Sequence, residues 1–146
     1  MTDHPLNPDG TYVEAPHFRP VEMMCPTSGQ ARFQPGFLAL LESLRVLCDV
    51  PFQINSACRS NEHNEWLLSR GYPASPNSWH LMGKQLGDGS RSDTIAVDVA
   101  CTDSHLRHII VQVALDRGWT VGVAKTFLHL DARYQLFHDD PICYVY

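Results

Sequence analysis

Two stretches of this chain have the composition of buried β-strands, yet each contains polar side chains that such a strand cannot hold alone. Ile95-Ala96-Val97-Asp98-Val99 is apolar except for Asp98, and Phe127-Leu128-His129-Leu130-Asp131 is apolar until His129 and Asp131. A carboxylate between two valines is costly to bury unless it is paired or bound to a metal. Two strands that each bury one metal-binding side chain are a local inconsistency of the kind that marks function. The fold must therefore bring Asp98 and His129 to partners.

His80, at the end of the loop Asn77-Ser78-Trp79, adds a second imidazole. His80, Asp98 and His129 together suit one Zn²⁺, with a fourth position left to water, the arrangement of catalytic rather than structural zinc. Zinc held in this way lowers the pKa of its water to about 7. Side chains at i and i+2 share a strand face, so Asp131 reaches the zone that His129 faces. Two roles fit Asp131: general base toward the zinc-bound water, or orientation of a ligand. Arg59, in Ser56-Ala57-Cys58-Arg59-Ser60, is placed to grip a substrate carboxylate or to stabilise an oxyanion.

With 146 residues, 44% hydrophobic and 18% charged, the chain fits one globular domain, 1–146, that needs no disulfide staples. The net charge of −5 provides no basic stripe for phosphates and argues against nucleic acid as a partner. Its longest apolar runs, such as Phe37 to Leu41, fall well short of the roughly 20 residues of a membrane span. The beginning Met1-Thr2-Asp3-His4-Pro5 has no secretory signal pattern, so the expectation is synthesis in the cytoplasm. Cys25, Cys48, Cys58, Cys101 and Cys143 are scattered and odd in number, which favours reduced thiols. Cys25-Pro26-Thr27-Ser28-Gly29 resembles half a zinc knuckle, but Ser28 stands where a second thiolate is needed.

Residues 1–34 are rich in Pro, Asn, Asp and Gly and predict an extended arm with turns, with a short helical turn within Phe18 to Met24 packing on the body; the arm is expected to cover the core or, as the less favoured alternative, to contact partner subunits. Phe37, Leu40, Leu41, Leu44 and Leu47 predict an amphipathic helix to Cys48, broken by Asp49-Val50-Pro51. A strand over Phe52 to Ser56, a helix over Asn61 to Arg70 and a strand over Thr94 to Ala100 follow, the last after a polar loop, Gly87 to Asp93. Asp103 or Ser104 caps a helix running to Gly118. Strands are expected over Trp119 to Val123 and Thr126 to Leu130, with an edge strand over Ile142 to Tyr146. The order predicts an α+β domain with a small, mostly antiparallel sheet.

These residues resemble the zinc D-Ala-D-Ala carboxypeptidase and L-Ala-D-Glu endopeptidase family, whose fold is shared with the Hedgehog signalling domain. The resemblance lies in Ser56-Ala57-Cys58-Arg59, His63-Asn64, Ser78-Trp79-His80-Leu81-Met82-Gly83, Ala96-Val97-Asp98 and Phe127-Leu128-His129-Leu130-Asp131. It implies a Hedgehog/DD-peptidase-like fold, with His80, Asp98 and His129 as zinc ligands and Arg59 binding substrate or stabilising the transition state. Ser78 is implied as a substrate-side residue, and His63 and Asn64 as residues that shape the site. The implied reaction is hydrolysis of an amide in the stem peptides of bacterial peptidoglycan, by a phage lysin or a virion-borne protein with other virion proteins as partners. The alternative is a virion structural or wall-docking protein that keeps the fold without turnover. Two departures stand out. Gln85 to Ile95 form an insertion between the first ligand and Asp98, and Thr126 occupies the position of the family's usual acid. Asp131 is then the expected replacement base.

Overall fold

The computed structural model describes residues 4–146. It is an α+β domain with a five-stranded sheet, whose strands in spatial order are β1 (Gln53–Ser56), β4 (Ala96–Ala100), β6 (Phe127–Asp131), β5 (Thr120–Val123) and β7 (Cys143–Val145). All neighbours pair antiparallel except β5 and β7, which are parallel. The helices are α1 (Pro20–Met23), α2 (Phe37–Cys48), α3 (Asn61–Ser69), α4 (Ser104–Asp116) and α5 (Arg133–Phe137).

The strict two-residue period of a strand sorts the sheet into two faces. Val97, Leu130 and Val121 are register partners, as are Val99, Leu128 and Val123. They join the core, in which α2 packs against α4 and α4 against β5. The two helices end where the sequence demands it. Asp49 takes a left-handed conformation (φ 51°) after Cys48, and the Asp103 carboxylate accepts from the His105 and Leu106 amides at the start of α4.

The opposite face carries the row Ser56, Asp98, His129, Gly122 and Tyr144, one residue from each of the five strands. Ser56 enters this row through a bulge: Ile54 opposes Val99, but Ser56, not Asn55, opposes Asp98. Such bulges re-aim side chains next to functional sites. Here the bulge delivers the turn Ala57 to Arg59 to the end of the row.

The sequence predicts an arm over residues 1–34 that covers the core or meets a partner, and in the described part it packs into the core. Tyr12, Ala15, Phe18, Met23, Cys25 and Phe33 are buried core residues. Phe33 stacks on Phe37 with ring centroids 5.6 Å apart, and Phe37 meets Trp119 edge-on at 6.0 Å. Backbone bonds tie the segment down: Gln34 N–H to Thr94 O, Thr94 N–H to Arg32 O and Cys58 N–H to Met23 O. Its turns are as expected, but its aromatic residues are a layer of the core. Residues 1–3 of the expected arm lie outside the described residues.

The polar loop expected over Gly87 to Asp93 is the tip and return strand of a two-stranded hairpin, β2 (Lys84–Gln85) and β3 (Arg91–Ser92). The Gly83 amide donates to Asp93 Oδ1 across its base at 3.0 Å, and the Ile95 amide donates to Trp79 O at 3.1 Å. The insertion therefore closes on itself and returns the chain beside His80. All five cysteines are free, and Cys25 Sγ lies against Ser60.

If the N-terminal segment is core, Phe33→Ala will lower the unfolding free energy by about 3–5 kcal/mol in chemical denaturation. A loss below about 1 kcal/mol would place the segment at the periphery.

Candidate metal centre

His80, Asp98 and His129 converge. His80 Nε2 lies 3.0 Å from Asp98 Oδ1 and 3.3 Å from His129 Nδ1, and His129 Nδ1 lies 3.1 Å from Asp98 Oδ1. Bonds of about 2.0–2.1 Å to a tetrahedral ion put neighbouring ligand atoms about 3.3–3.4 Å apart, so one ion fits over this triangle with little movement. All three residues are buried, and they form a group able to hold a metal ion.

Each ligand is held by a different part of the chain. Asp98 and His129 are direct partners on β4 and β6. His80 sits on a short loop whose backbone is locked on both sides. Its amide donates to Ser78 Oγ at 3.1 Å, and its carbonyl accepts from the Arg59 amide at 2.9 Å and from Thr94 Oγ1 at 2.8 Å. The ring orientation follows from its other nitrogen: Nδ1 lies 2.7 Å from Ala57 O. A carbonyl can only accept, so Nδ1 carries the proton and Nε2 turns a lone pair into the centre.

Asp131 fixes the second imidazole. Its Oδ2 lies 2.7 Å from His129 Nε2, and Arg133 holds the same carboxylate through Nε and a terminal nitrogen, both at 2.9 Å. Asp131 is completely buried and stands on the Nε2 side of the ring, whereas the ligand triangle is on the Nδ1 side. The expectation that Asp131 is the general base is therefore corrected. The imidazole separates it from the open position, and both its oxygens are occupied. It orients His129, the other role its strand position allows. A carboxylate–histidine pair of this kind fixes the tautomer and raises ligand basicity.

The electrostatics describe a slot for one cation. Burial would raise the Asp98 carboxyl, but the His80 and His129 imidazoles outweigh it and hold Asp98 well below the carboxylate range. Burial keeps His80 below its ordinary value despite Asp98. Burial opposes a charge on His129 as well, yet its bonds to Asp131 and Asp98 prevail and raise it to about 9. A proton on His129 Nδ1 thus satisfies the Asp98 oxygen and the His80 lone pair, and a metal ion would take that proton's place.

Arg59 adjoins the centre from the β1 side. A terminal nitrogen lies 3.2 Å from Asp98 Oδ2, its Nε donates to Ser56 Oγ at 3.1 Å, and Asn64 Oδ1 is 3.5 Å away. Ser78 is buried beside His80 and, like Arg59, lines the cleft. His63 faces elsewhere, with Nδ1 2.8 Å from Thr27 Oγ1; of the pair His63-Asn64, only Asn64 supports the site. Thr126 is exposed in the turn between β5 and β6.

The centre opens into a cleft of about 500 Å³. Both imidazoles line it, with Arg59, Arg133, Trp79, Tyr144 and Tyr146 among its walls. Among the described residues, no Asp or Glu lines this cleft. Sequence reasoning passed over Tyr144, Tyr146, Trp79 and Arg133. The alternation of Tyr144 and Tyr146 on one strand face was the available signal for the first two. Compared with known proteins, the chain matches no family model, no curated protein and no solved structure.

Two outcomes follow from this geometry. Because a metal must displace the His129 proton, zinc affinity will rise about tenfold per pH unit between pH 6 and 8, with about one proton released per ion. Calorimetry in buffers of different ionisation enthalpy measures both. Asp131→Asn will weaken zinc binding about 10–100-fold; unchanged affinity would mean that the carboxylate does not act through His129.

Proposed function

We propose that the protein is a zinc metallopeptidase that hydrolyses amide bonds in the stem peptides of bacterial peptidoglycan, with the Hedgehog/DD-peptidase-like fold that its motifs resemble. The carrying observation is the triangle of His80 Nε2, Asp98 Oδ1 and His129 Nδ1, 3.0–3.3 Å on a side, at the wall of an open cleft. A donor set of two imidazoles and one carboxylate suits zinc, and three protein ligands leave a position open. Zinc there would act as a Lewis acid and lower the pKa of a water in the open position toward about 7.

The chain's own residues supply the rest. Ala57 O and Asp131 hold the two imidazoles in the tautomers that ligation needs. Arg59 balances Asp98 and exposes positive charge to the cleft, where it can meet a substrate carboxylate or a developing oxyanion. Arg133 adds a second guanidinium to the same walls. Each guanidinium is paired with one carboxylate, Arg59 with Asp98 and Arg133 with Asp131, so a bound dication would leave the cleft net positive and favour anionic peptides, and stem peptides carry carboxylates. Ser78 stands at the cleft wall against His80. The setting that agrees with this chemistry is the bacterial cell wall, reached as a released lysin or as part of a virion with other virion proteins as neighbours.

One observation favours a second reading. With Asp131 committed to His129, no carboxylate in the described cleft is free to accept a proton, as expected of a wall-docking or virion structural protein that retains the centre without turnover. Purified cell walls separate the two. The peptidase reading predicts soluble peptide fragments from zinc-loaded protein, reduced more than 100-fold in His80→Ala. Zinc-loaded protein that binds walls but releases no fragments would establish the second reading.

A further inference from the structure

Gly122 lies on β5 between His129 of β6 and Tyr144 of β7, in the row that carries the metal-binding residues. Glycine weakens a strand interior and there marks a close approach by something else. The approaching group is Tyr144. A Cβ at position 122 would sit 2.6 Å from Tyr144 Cζ and 2.7 Å from its hydroxyl oxygen, far inside contact distance. Tyr144 therefore lies across the sheet, with its hydroxyl over β5. Adjacent strands are about 4.8 Å apart, so the phenol stops one strand short of His129. The two rings are 6.1 Å apart between centroids.

The phenol is flanked by a second tyrosine, and its hydroxyl lies 3.5 Å from the Tyr146 hydroxyl. The Tyr146 ring packs against Tyr144 at 5.4 Å and edge-on against Phe127 at 5.1 Å. Both tyrosines line the cleft that opens on His80 and His129. Arg59 adjoins the same row at its β1 end and Tyr144 at its β7 end, so a ligand over the centre lies between a guanidinium and a phenol. With a reference pKa near 10, a phenol is protonated at neutral pH and can donate.

We propose that the Tyr144 hydroxyl donates a hydrogen bond to an oxygen of the ligand seated over the His80–Asp98–His129 centre, and that Gly122 exists to let it reach there. In the peptidase reading, on which the identity of the ligand rests, that oxygen belongs to the tetrahedral species formed at the attacked amide carbon. A preorganised donor aimed at such an oxygen contributes to transition-state stabilisation.

The test uses the full chain loaded with zinc and inorganic phosphate as a tetrahedral oxyanion probe. Calorimetry compares wild type, Tyr144→Phe and Gly122→Ala, with zinc affinity and melting temperature measured in parallel. Tyr144→Phe should bind phosphate about tenfold more weakly, the effect of one hydrogen bond to a charged group, with zinc affinity unchanged. Gly122→Ala keeps the phenol but displaces it, and should show a similar loss. Equal phosphate affinity in wild type and Tyr144→Phe would overturn the proposal, as would a parallel loss of zinc affinity or no phosphate binding by the wild type. If the phosphate difference holds while wild type releases no wall fragments, the peptidase reading fails and the role of Tyr144 stands.

Discussion

The structure depends on the burial of the Asp98 carboxylate in the middle of a sheet. That group is excluded from water on β4, and its surroundings are arranged to answer it. His129 lies directly across on β6, His80 arrives from a locked loop, and Arg59 reaches Oδ2 from beyond the bulged end of β1. A buried charge pair gains little net stability over an apolar core, because desolvation offsets most of the attraction. An arrangement of this kind is therefore better explained by what it can bind than by what it stabilises. It leaves one slot, which a proton on His129 fills and for which a metal ion can compete.

Around that slot the sheet has a division of labour. Its helix-facing side is apolar and joined by the N-terminal layer of Tyr12, Phe18 and Phe33, which gives the strands a rigid backing. Its other side carries the row from Ser56 to Tyr144. Positions in one row are fixed relative to each other by backbone hydrogen bonds, so Asp98 and His129 sit on rigid elements, as precise sites require. The Asp131–Arg133 pair beneath His129 extends the same logic by locking the ring through its far nitrogen.

Much of this was legible in the sequence, and the reasons for the rest are physical. Asp98 and His129 stood out because polar residues in apolar strands violate their surroundings, and the strands β4 and β6 came from the same signal. That Asp131 shares a face with His129 followed from the period of two. Which nitrogen it would meet did not, since that depends on ring rotation set by the centre itself. The bulge at Ile54 to Ser56 and the pairing of Gly122 with Tyr144 are matters of register between distant segments, which no local pattern encodes. The hairpin β2–β3 has strands of two residues, and α5 starts without a side-chain cap, so neither gives a periodic signal. Composition described the N-terminal segment only in part: its Pro, Asn and Gly mark its turns, while the aromatic residues between them determine where it packs.

The central claim is that these three side chains hold one metal ion through three particular atoms. Anomalous diffraction from crystals grown with zinc tests it most directly. The account predicts a single strong peak bonded to His80 Nε2, Asp98 Oδ1 and His129 Nδ1 at about 2.0–2.2 Å, with the fourth position facing the cleft. No peak at this position, or a peak bonded through other atoms while these three keep their hydrogen bonds to one another, would contradict it.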